Sequence, residues 1–374
     1  MDKISFPYRS SSHLILLHVV SESGSWEKNG LEVDFDRHIG SEDAQSAIAS
    51  GDIEFCSGNH VSTYGLRARG SDWVYLGQTV NQVNHQLVTR YDTGVTCVAD
   101  LRGRRVGTSG SHPSLNHWLY LKQRGLDVDR EDFEFVNQSV LKAGSMDEVE
   151  GGQKKPPLWH WVRDGIVDAV LVGAPSSLFA ADAGLKVIDV EPLPMIQFST
   201  ISTSLRFVER RPDIVERFLK GMIEGIHFFK TRPQETIDII QKRITKGGQL
   251  TRDQATHVHT NLARILEPKL YPKMLSIANV YEEALRQDKD SRKVNPMELW
   301  DMHHVRRIDD SGFINRLYNA RPAESGESAD ACVHHDPDEA AEVRNAFASK
   351  VIADTHKGAV MPDHECDESC AGTH

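Results

Sequence analysis

Hydroxyl and imidazole side chains gather where a helix is predicted to begin. Ser11, Ser12 and His13 follow a short predicted strand and precede the apolar residues 14–20. The first turn of a helix presents unpaired backbone N–H groups and the positive end of its dipole, which together attract an anion. We expect Ser11 and Ser12 to hold an anionic group and His13 to be a candidate catalytic acid. The alternative is that a serine here only caps the helix.

Polar residues also stand at two later predicted helix starts. Asn59 and His60 follow a short strand, and Ser109, Ser111 and His112 form a matching strand-to-helix loop further along the chain. Imidazole exchanges a proton near neutral pH, so His60 is the other candidate for a catalytic acid. We expect the second loop to hold the same anion from the opposite side. The alternatives are helix capping by the serines and a histidine that only packs or donates a hydrogen bond.

An aromatic pair and a proline loop are further candidates for ligand contact. Trp159 and Trp161 flank a histidine on a short predicted helix, and Pro175 lies in a loop that follows a predicted strand. Trp159 could stack on an aromatic ligand. Because positions two apart point about 200° from each other on a helix, the two indoles cannot share one face. The alternative for either tryptophan is burial in the core.

The end of the chain carries thiols and imidazoles close together. Cys366 and Cys370 are four residues apart, with His364 before them and His374 after them. Thiolate and imidazole are ligands for zinc or iron, so we expect this segment to bind a divalent metal. The alternative is a solvated tail, since the spacing matches no standard zinc finger.

The pattern of elements predicts an α/β protein. Strands and helices alternate over residues 31–92, and Ser41 is a plausible N-cap within that stretch. The alternation restarts near residue 95. Helical periodicity dominates after residue 205, and Gly, Ser, Asp and Glu dominate residues 321–374. The sequence therefore predicts two α/β regions, a C-terminal helical region and a tail.

Composition narrows the classes of function. The chain has 374 residues, and its formal net charge of −11 disfavours binding to nucleic acids or anionic membranes. Cys56 and Cys97 lie in apolar surroundings and are predicted to be core thiols. No stretch is apolar enough to span a membrane, and no secretory segment is recognisable, so we expect a cytoplasmic protein without membrane insertion. The alternative is a mature secreted form whose leader has been removed. A glycine-rich phosphate fingerprint is absent from the sequence, and nothing in it supports cofactor-dependent redox chemistry. A homodimer is left open.

Four short segments resemble one family of folds. They are Ala-Ile-Ala-Ser-Gly-Asp-Ile-Glu-Phe at 47–55, Gly-Leu-Arg-Ala-Arg-Gly at 65–70, Asp-Leu-Arg-Gly-Arg-Arg-Val-Gly at 100–107 and Val-Arg-Asp-Gly-Ile-Val-Asp-Ala-Val at 162–170. In this order they resemble the type II periplasmic-binding-protein fold, in the branch of alkylsulfonate-binding proteins and thiamin-pyrimidine synthases. The resemblance implies a two-lobe α/β fold that clamps a small anionic ligand between its lobes. It covers roughly residues 3–300.

The resemblance also implies boundaries for the lobes. Lobe 1 would comprise residues 1–91 and 199–320, and lobe 2 residues 92–198, with the chain crossing near Arg90 and returning near Ser199. Residues 321–374 would form the tail.

Two activities follow from resemblance within that branch. The opening is similar to that of an aryl-sulfinate desulfinase, with Ser11 where that enzyme has its essential cysteine. His60 falls where thiamin-pyrimidine synthases carry a reactive histidine, although their cysteine cluster is missing from the middle of this chain. We expect a lyase of the decarboxylase or desulfinase type acting on an aromatic or heterocyclic acid. The alternative is a non-catalytic solute-binding protein of a transporter, or an intracellular sensor.

Overall fold

Strands β1 to β10 lie in the computed structural model, which describes residues 1–58, 60–108, 115–126, 132, 134–137, 156–244 and 249–319. Their bounds are β1 Asp2–Ser5, β2 Leu31–Asp34, β3 Cys56–Ser57, β4 Trp73–Val83, β5 Gln86–Thr89, β6 Arg105–Thr108, β7 Glu134–Asn137, β8 Ala169–Val172, β9 Lys186–Asp189 and β10 Leu193–Ser204.

Helices α1 to α14 occupy much of the remaining described chain. Their bounds are α1 Leu14–Glu22, α2 Ser25–Lys28, α3 Ser41–Ser50, α4 Ser62–Ala68, α5 Leu115–Lys122, α6 Trp159–Arg163, α7 Ser176–Asp182, α8 Leu205–Arg210, α9 Pro212–Thr231, α10 Pro233–Arg243, α11 Arg252–Ile265, α12 Met274–Gln287, α13 His303–Asp310 and α14 Phe313–Asn319. Among the described residues, no helix is both long and apolar enough to cross a membrane.

The strands form two groups. In the first group, β1 pairs in parallel with β2, while β10 runs antiparallel between β3 and β4. In the second, the order is β7-β6-β8-β5-β9, with β6 parallel to both β7 and β8 and with β5 antiparallel to β8 and β9. The chain leaves the first group at residues 84–85 and returns at 190–192. The lobe boundaries placed at 91/92 and 198/199 stay a prediction, and the tail lies outside the described residues.

Helix α9 fixes the position of β1 and β3. Pro212 occupies its first turn, where the missing N–H costs nothing. The helix buries an apolar stripe on which Phe218 stacks against Phe55 at 4.1 Å between ring centroids and meets Phe6 edge-on at 4.9 Å. Phe6 directly follows β1 and Phe55 directly precedes β3. Burial of each such ring contributes about 1.5–3 kcal/mol, so the carboxyl end of β1 is held beside the amino end of β3.

The start of α3 differs from the expectation that Ser41 caps it. Gly40 is the N-cap residue and Ser41 is the first helical residue, with no capping hydrogen bond from a side chain. The reason is the backbone, which is extended at Gly40 with ψ of 163° and becomes helical at the next residue. Glu42 and Asp43 lie in the first turn, where their charges complement the helix dipole.

Candidate functional site

The loops that follow β1 and β3 run side by side. The N–H of Phe55 donates to the carbonyl of Ser5 at 3.1 Å, and the N–H of Arg9 donates to the carbonyl of Ser57 at 3.2 Å. These bonds place the segment that leads into α1 against the segment that ends in His60. In open α/β sheets, ligands bind at the carboxyl ends of strands, which is where both loops lie.

Gly58 allows the two loops to approach closely. Its φ is +108°, a backbone conformation that side chains disfavour. A Cβ at this position would lie 3.1 Å from Cβ and Cγ of Arg9 and 3.2 Å from Cε1 of His13. Only glycine therefore lets the end of β3 pack against both side chains.

His13 is a buried, neutral histidine in this cluster. Its side chain is 3% exposed, Nδ1 lies 2.9 Å from Oγ of Ser57, and the Phe198 ring packs against its imidazole at 5.5 Å between centroids. Burial, with smaller contributions from the charges of His60 and Arg9, lowers the pKa of His13 to about 3. His13 therefore carries no proton on its second nitrogen at neutral pH.

His60 is held by a chain of polar groups from two strands. Its Nδ1 lies 2.7 Å from Oγ1 of Thr200 on β10, and that hydroxyl donates to Oε1 of Gln78 on β4 at 2.6 Å. Burial, with the charge of Arg9, lowers the pKa of His60 to about 4. The structure thus brings His13 and His60 into one cluster, and both are neutral at neutral pH.

Arg9 supplies the positive charge of the cluster. Its Nη1 donates to the carbonyl of Ile39 at 2.6 Å, while its Nε is buried without a hydrogen-bond partner. Arg9 forms no ion pair with any carboxylate in the described part of the chain. Burial lowers the pKa of Arg9, and the charges of Cys56 and Asp43 oppose that shift. The guanidinium stays a cation, because arginine is not deprotonated in proteins.

The serines before α1 form its entry. Ser11 and His13 bound a 3₁₀ turn that leads into the helix, and Ser10 is the N-cap, its Oγ accepting from the N–H of Ser12 at 3.4 Å. Oγ of Ser10 also lies 2.9 Å from Oγ of Ser12, which is exposed. Contact of Ser11 and Ser12 with a ligand stays a prediction.

Trp159, which is predicted to contact an aromatic ligand, lies with Trp161 in a hydrophobic core. Trp159 and Trp161 are 7% and 6% exposed and pack in the same hydrophobic cluster as Val88 and Val170. Pro175 is the residue before α7, and its peptide bond with Ala174 is cis. Ligand contact by Trp159 and Pro175 stays a prediction.

The remaining sequence-predicted site residues cannot be placed. They lie outside the described residues and are Asn59, Ser109, Ser111, His112, His364, Cys366, Cys370 and His374.

Several residues of this cluster are absent from the sequence-predicted set. Arg9 directly precedes the serine run, and Ser57 directly precedes Gly58. Gln78 and Thr200 are polar residues in the interior of long strands, and both side chains are buried. Buried polar side chains need hydrogen-bond partners, so polar residues within two long strands are the signal that could have found them. We call Arg9, His13, His60, Gln78 and Thr200 the histidine cluster.

Two sequence comparisons bear on this arrangement. Residues 12–152 match the family described as NMT1/THI5 like. The 4-amino-5-hydroxymethyl-2-methylpyrimidine phosphate synthase of Schizosaccharomyces pombe is 20% identical over 266 residues, which cover 68% of this chain and 73% of that protein.

Solved structures show the same fold. A putative sulfonate ABC transporter's periplasmic sulfonate-binding protein SsuA, from Methylobacillus flagellatus KT, has a TM-score of 0.62 at 13% identity, with 87% of this chain and 98% of that chain covered. The desulfurization enzyme DSZB has a TM-score of 0.51 at 16% identity, with 83% and 99% covered. A mutant of DSZB was solved in complex with biphenyl-2-sulfinic acid.

The predicted α/β fold and the predicted resemblance are therefore confirmed. The chain has the periplasmic-binding-protein-like fold, and over residues 12–152 it matches the NMT1/THI5-like family.

Proposed function

We propose that the histidine cluster binds the anionic group of a small aromatic or heterocyclic acid, clamped between the two groups of strands. The observation that carries this proposal is Arg9. Its guanidinium is partly buried, its Nε has no hydrogen-bond partner, and no carboxylate pairs with it in the described part of the chain. An anionic ligand would satisfy this charge.

The electrostatics of the neighbours support an anion rather than a cation. A buried charge without a partner is costly, and a protein normally pairs it or neutralises it. Arginine cannot neutralise itself, and burial, with a smaller contribution from the charge of Arg9, lowers the pKa values of the two histidines beside it and keeps both neutral. A carboxylate, sulfinate, sulfonate or phosphate would accept two parallel hydrogen bonds from the planar guanidinium.

The chemistry of the similar proteins fits this proposal. One is a sulfonate-binding protein, one holds biphenyl-2-sulfinic acid, and one is a pyrimidine phosphate synthase. The Phe198 ring, packed against the His13 imidazole, is an aromatic side chain within the candidate site. These features support an aromatic or heterocyclic body on the acid.

Calorimetric titration of the full chain tests the proposal. Benzenesulfonate, benzenesulfinate and benzoate are compared with the neutral benzenesulfonamide, and at least one anion should bind while the sulfonamide does not. Arg9→Gln should weaken binding about 10- to 100-fold, the value of a hydrogen bond to a charged group. Arg37→Gln is the matched control, because Arg37 is exposed. Equal binding by wild type and Arg9→Gln would refute the assignment.

A second candidate function is a lyase of the decarboxylase or desulfinase type. In such a reaction the bond from carbon to the acid group breaks, its electron pair stays on the carbon, and a proton replaces the lost group. His60 or His13 could deliver that proton only after taking one up, since both are neutral in the free protein. A bound anion would raise their pKa values and so favour this uptake.

Product analysis separates the lyase from a binding protein. Chromatography of each bound acid after incubation should reveal the ring without its acid group, together with sulfite from the sulfinate, sulfate from the sulfonate or carbon dioxide from the carboxylate. His60→Gln should abolish turnover and leave binding at Arg9. Binding without any product would instead favour the solute-binding or sensor alternative. The cytoplasmic location stays a proposal, which cell fractionation tests.

A further inference from the structure

We infer that the carbonyl of Val80, Gln78 and Thr200 form a relay that fixes His60 in the tautomer with the proton on Nδ1, leaving Nε2 as a hydrogen-bond acceptor for the ligand. Gln78 and Thr200 are then positioning residues. The relay itself is independent of the proposed function, whereas its consequence for ligand choice rests on it.

The first step is the orientation of the Gln78 amide. Its Nε2 donates to the carbonyl of Val80, and its Oε1 accepts from Oγ1 of Thr200. Exchanging the amide nitrogen and oxygen would place Oε1 against the carbonyl oxygen of Val80, where two acceptors would face each other. The amide is thus oriented by its own strand, and Oε1 faces Thr200.

The second step is the hydrogen of the Thr200 hydroxyl. A hydroxyl carries one hydrogen, and an amide oxygen can only accept. The 2.6 Å contact between Oγ1 of Thr200 and Oε1 of Gln78 therefore uses that hydrogen. Oγ1 has only lone pairs left for its 2.7 Å contact with Nδ1 of His60. His60 must donate, and its proton lies on Nδ1.

The third step follows from the charge of the ring. The charged and titratable groups near His60 include the Arg9 guanidinium, the His13 imidazole and the Tyr75 hydroxyl, which donates to the His60 carbonyl at 3.3 Å. Burial and Arg9 both disfavour an imidazolium. A neutral ring with its proton on Nδ1 has a bare Nε2. The described residues make no hydrogen bond to this nitrogen.

The ligand class becomes narrower as a result. The Arg9 guanidinium favours an anionic group on the ligand. Nε2 of His60 favours a hydrogen-bond donor nearby on the same ligand. We infer an aromatic or heterocyclic acid that also carries an O–H or N–H group. An acid with a second carboxylate in that place would meet a lone pair instead of a donor and would bind poorly.

Nitrogen NMR of the full chain with ¹⁵N-labelled histidine tests the relay directly. The His60 signals, assigned by their loss in His60→Gln, should show a protonated Nδ1 and a bare Nε2 at pH 7.5. Thr200→Ser keeps the oxygen and should keep this pattern. Thr200→Val removes the acceptor, and Gln78→Met frees the Thr200 hydrogen to point at Nδ1, so both should shift the ring towards Nε2–H.

Two results would overturn the relay. One is a wild-type ring protonated on Nε2, and the other is a tautomer unchanged in Thr200→Val or in Gln78→Met. Either variant suffices if the other fails to fold, and the wild-type spectrum needs no variant.

Titration with 2-hydroxybenzenesulfonate and 2-methoxybenzenesulfonate tests the ligand class. The hydroxyl compound should bind about 2- to 10-fold more tightly, the value of one added hydrogen bond, and Thr200→Val should erase this preference while Thr200→Ser keeps it. Equal binding of the two compounds by wild type would refute the donor requirement alone. Failure of both to bind, with benzenesulfonate and benzoate also inactive, would refute the proposed anion site and leave the tautomer result standing.

Discussion

Low pH should reduce the free energy of unfolding of this protein because it contains buried neutral histidines. His13 is the clearest example. The pKa of His13 is about 3 in the folded chain, whereas a histidine in the unfolded chain has a pKa near 6.5. Between these values the unfolded state binds a proton that the folded state does not. The free energy of unfolding therefore falls as pH falls below about 6.5, and it continues to fall until pH reaches the folded value.

The size of the effect follows from the two pKa values. At pH 5 the unfolded chain is about 1.5 pH units below the histidine pKa, while folded His13 is still neutral. Each unit is worth about 1.4 kcal/mol, so His13 alone should cost about 2 kcal/mol of stability at pH 5. That is a large share of the roughly 5–15 kcal/mol that stabilises a typical domain.

Urea unfolding followed by far-ultraviolet circular dichroism measures this difference at pH 7.5 and pH 5. Carboxylates and other buried histidines also contribute to the wild-type value, so the comparison is with His13→Gln. This variant loses the hydrogen bond to Ser57 at both pH values, but its loss of stability between them should be about 2 kcal/mol smaller. His257→Gln is the control, since His257 is exposed on α11. An equal loss in wild type and His13→Gln would refute the assignment of His13 as a buried neutral group.

Three further changes test other parts of the structure. Gly58→Ala should abolish most anion binding and destabilise the fold by about 1–3 kcal/mol, measured by calorimetry and urea unfolding, because its φ is +108° and its Cβ would press on two side chains of the site. Trp118→Ala should cost about 3–5 kcal/mol in the same unfolding assay, since the ring is 5% exposed and Arg286 lies over it at 5.1 Å. Replacing Cys366 and Cys370 together by serine should lower the zinc or iron bound per chain in elemental analysis; unchanged metal content would refute the proposed tail site.

Local patterns in the sequence predict the elements but not their partners. The local sequence predicts the strand at residues 169–172 and the helix that starts at Pro212, because period and proline geometry act within a few residues. Strand β3, by contrast, is two residues long, and helix α4 begins at Ser62 rather than at His60. Short elements are decided by tertiary pairing, which periodicity does not report.

The residues of the candidate site also fall into two sets, those that the sequence predicts and those that only the folded chain reveals. His13 and His60 could be selected from sequence because each follows a strand and precedes a helix. Thr200 could not, because it lies 140 residues beyond His60 and reaches it only through the pairing of β10 with β3. Arg9 directly precedes the serine run in the sequence. However, no local sequence pattern shows that its charge has no carboxylate partner among the described residues. Burial and long-range pairing are properties of the folded chain.

The route of the chain between the two groups of strands has a consequence for modularity. Val83 and Leu193 face each other as partners on β4 and β10, so the segment 84–192 enters and leaves the first group at neighbouring points. Because the two ends of this segment lie side by side, another segment could replace it without changing the path of the rest of the chain. Recombination at these two points would therefore give the first group of strands a new counterpart while Arg9, His13 and His60 stay in place.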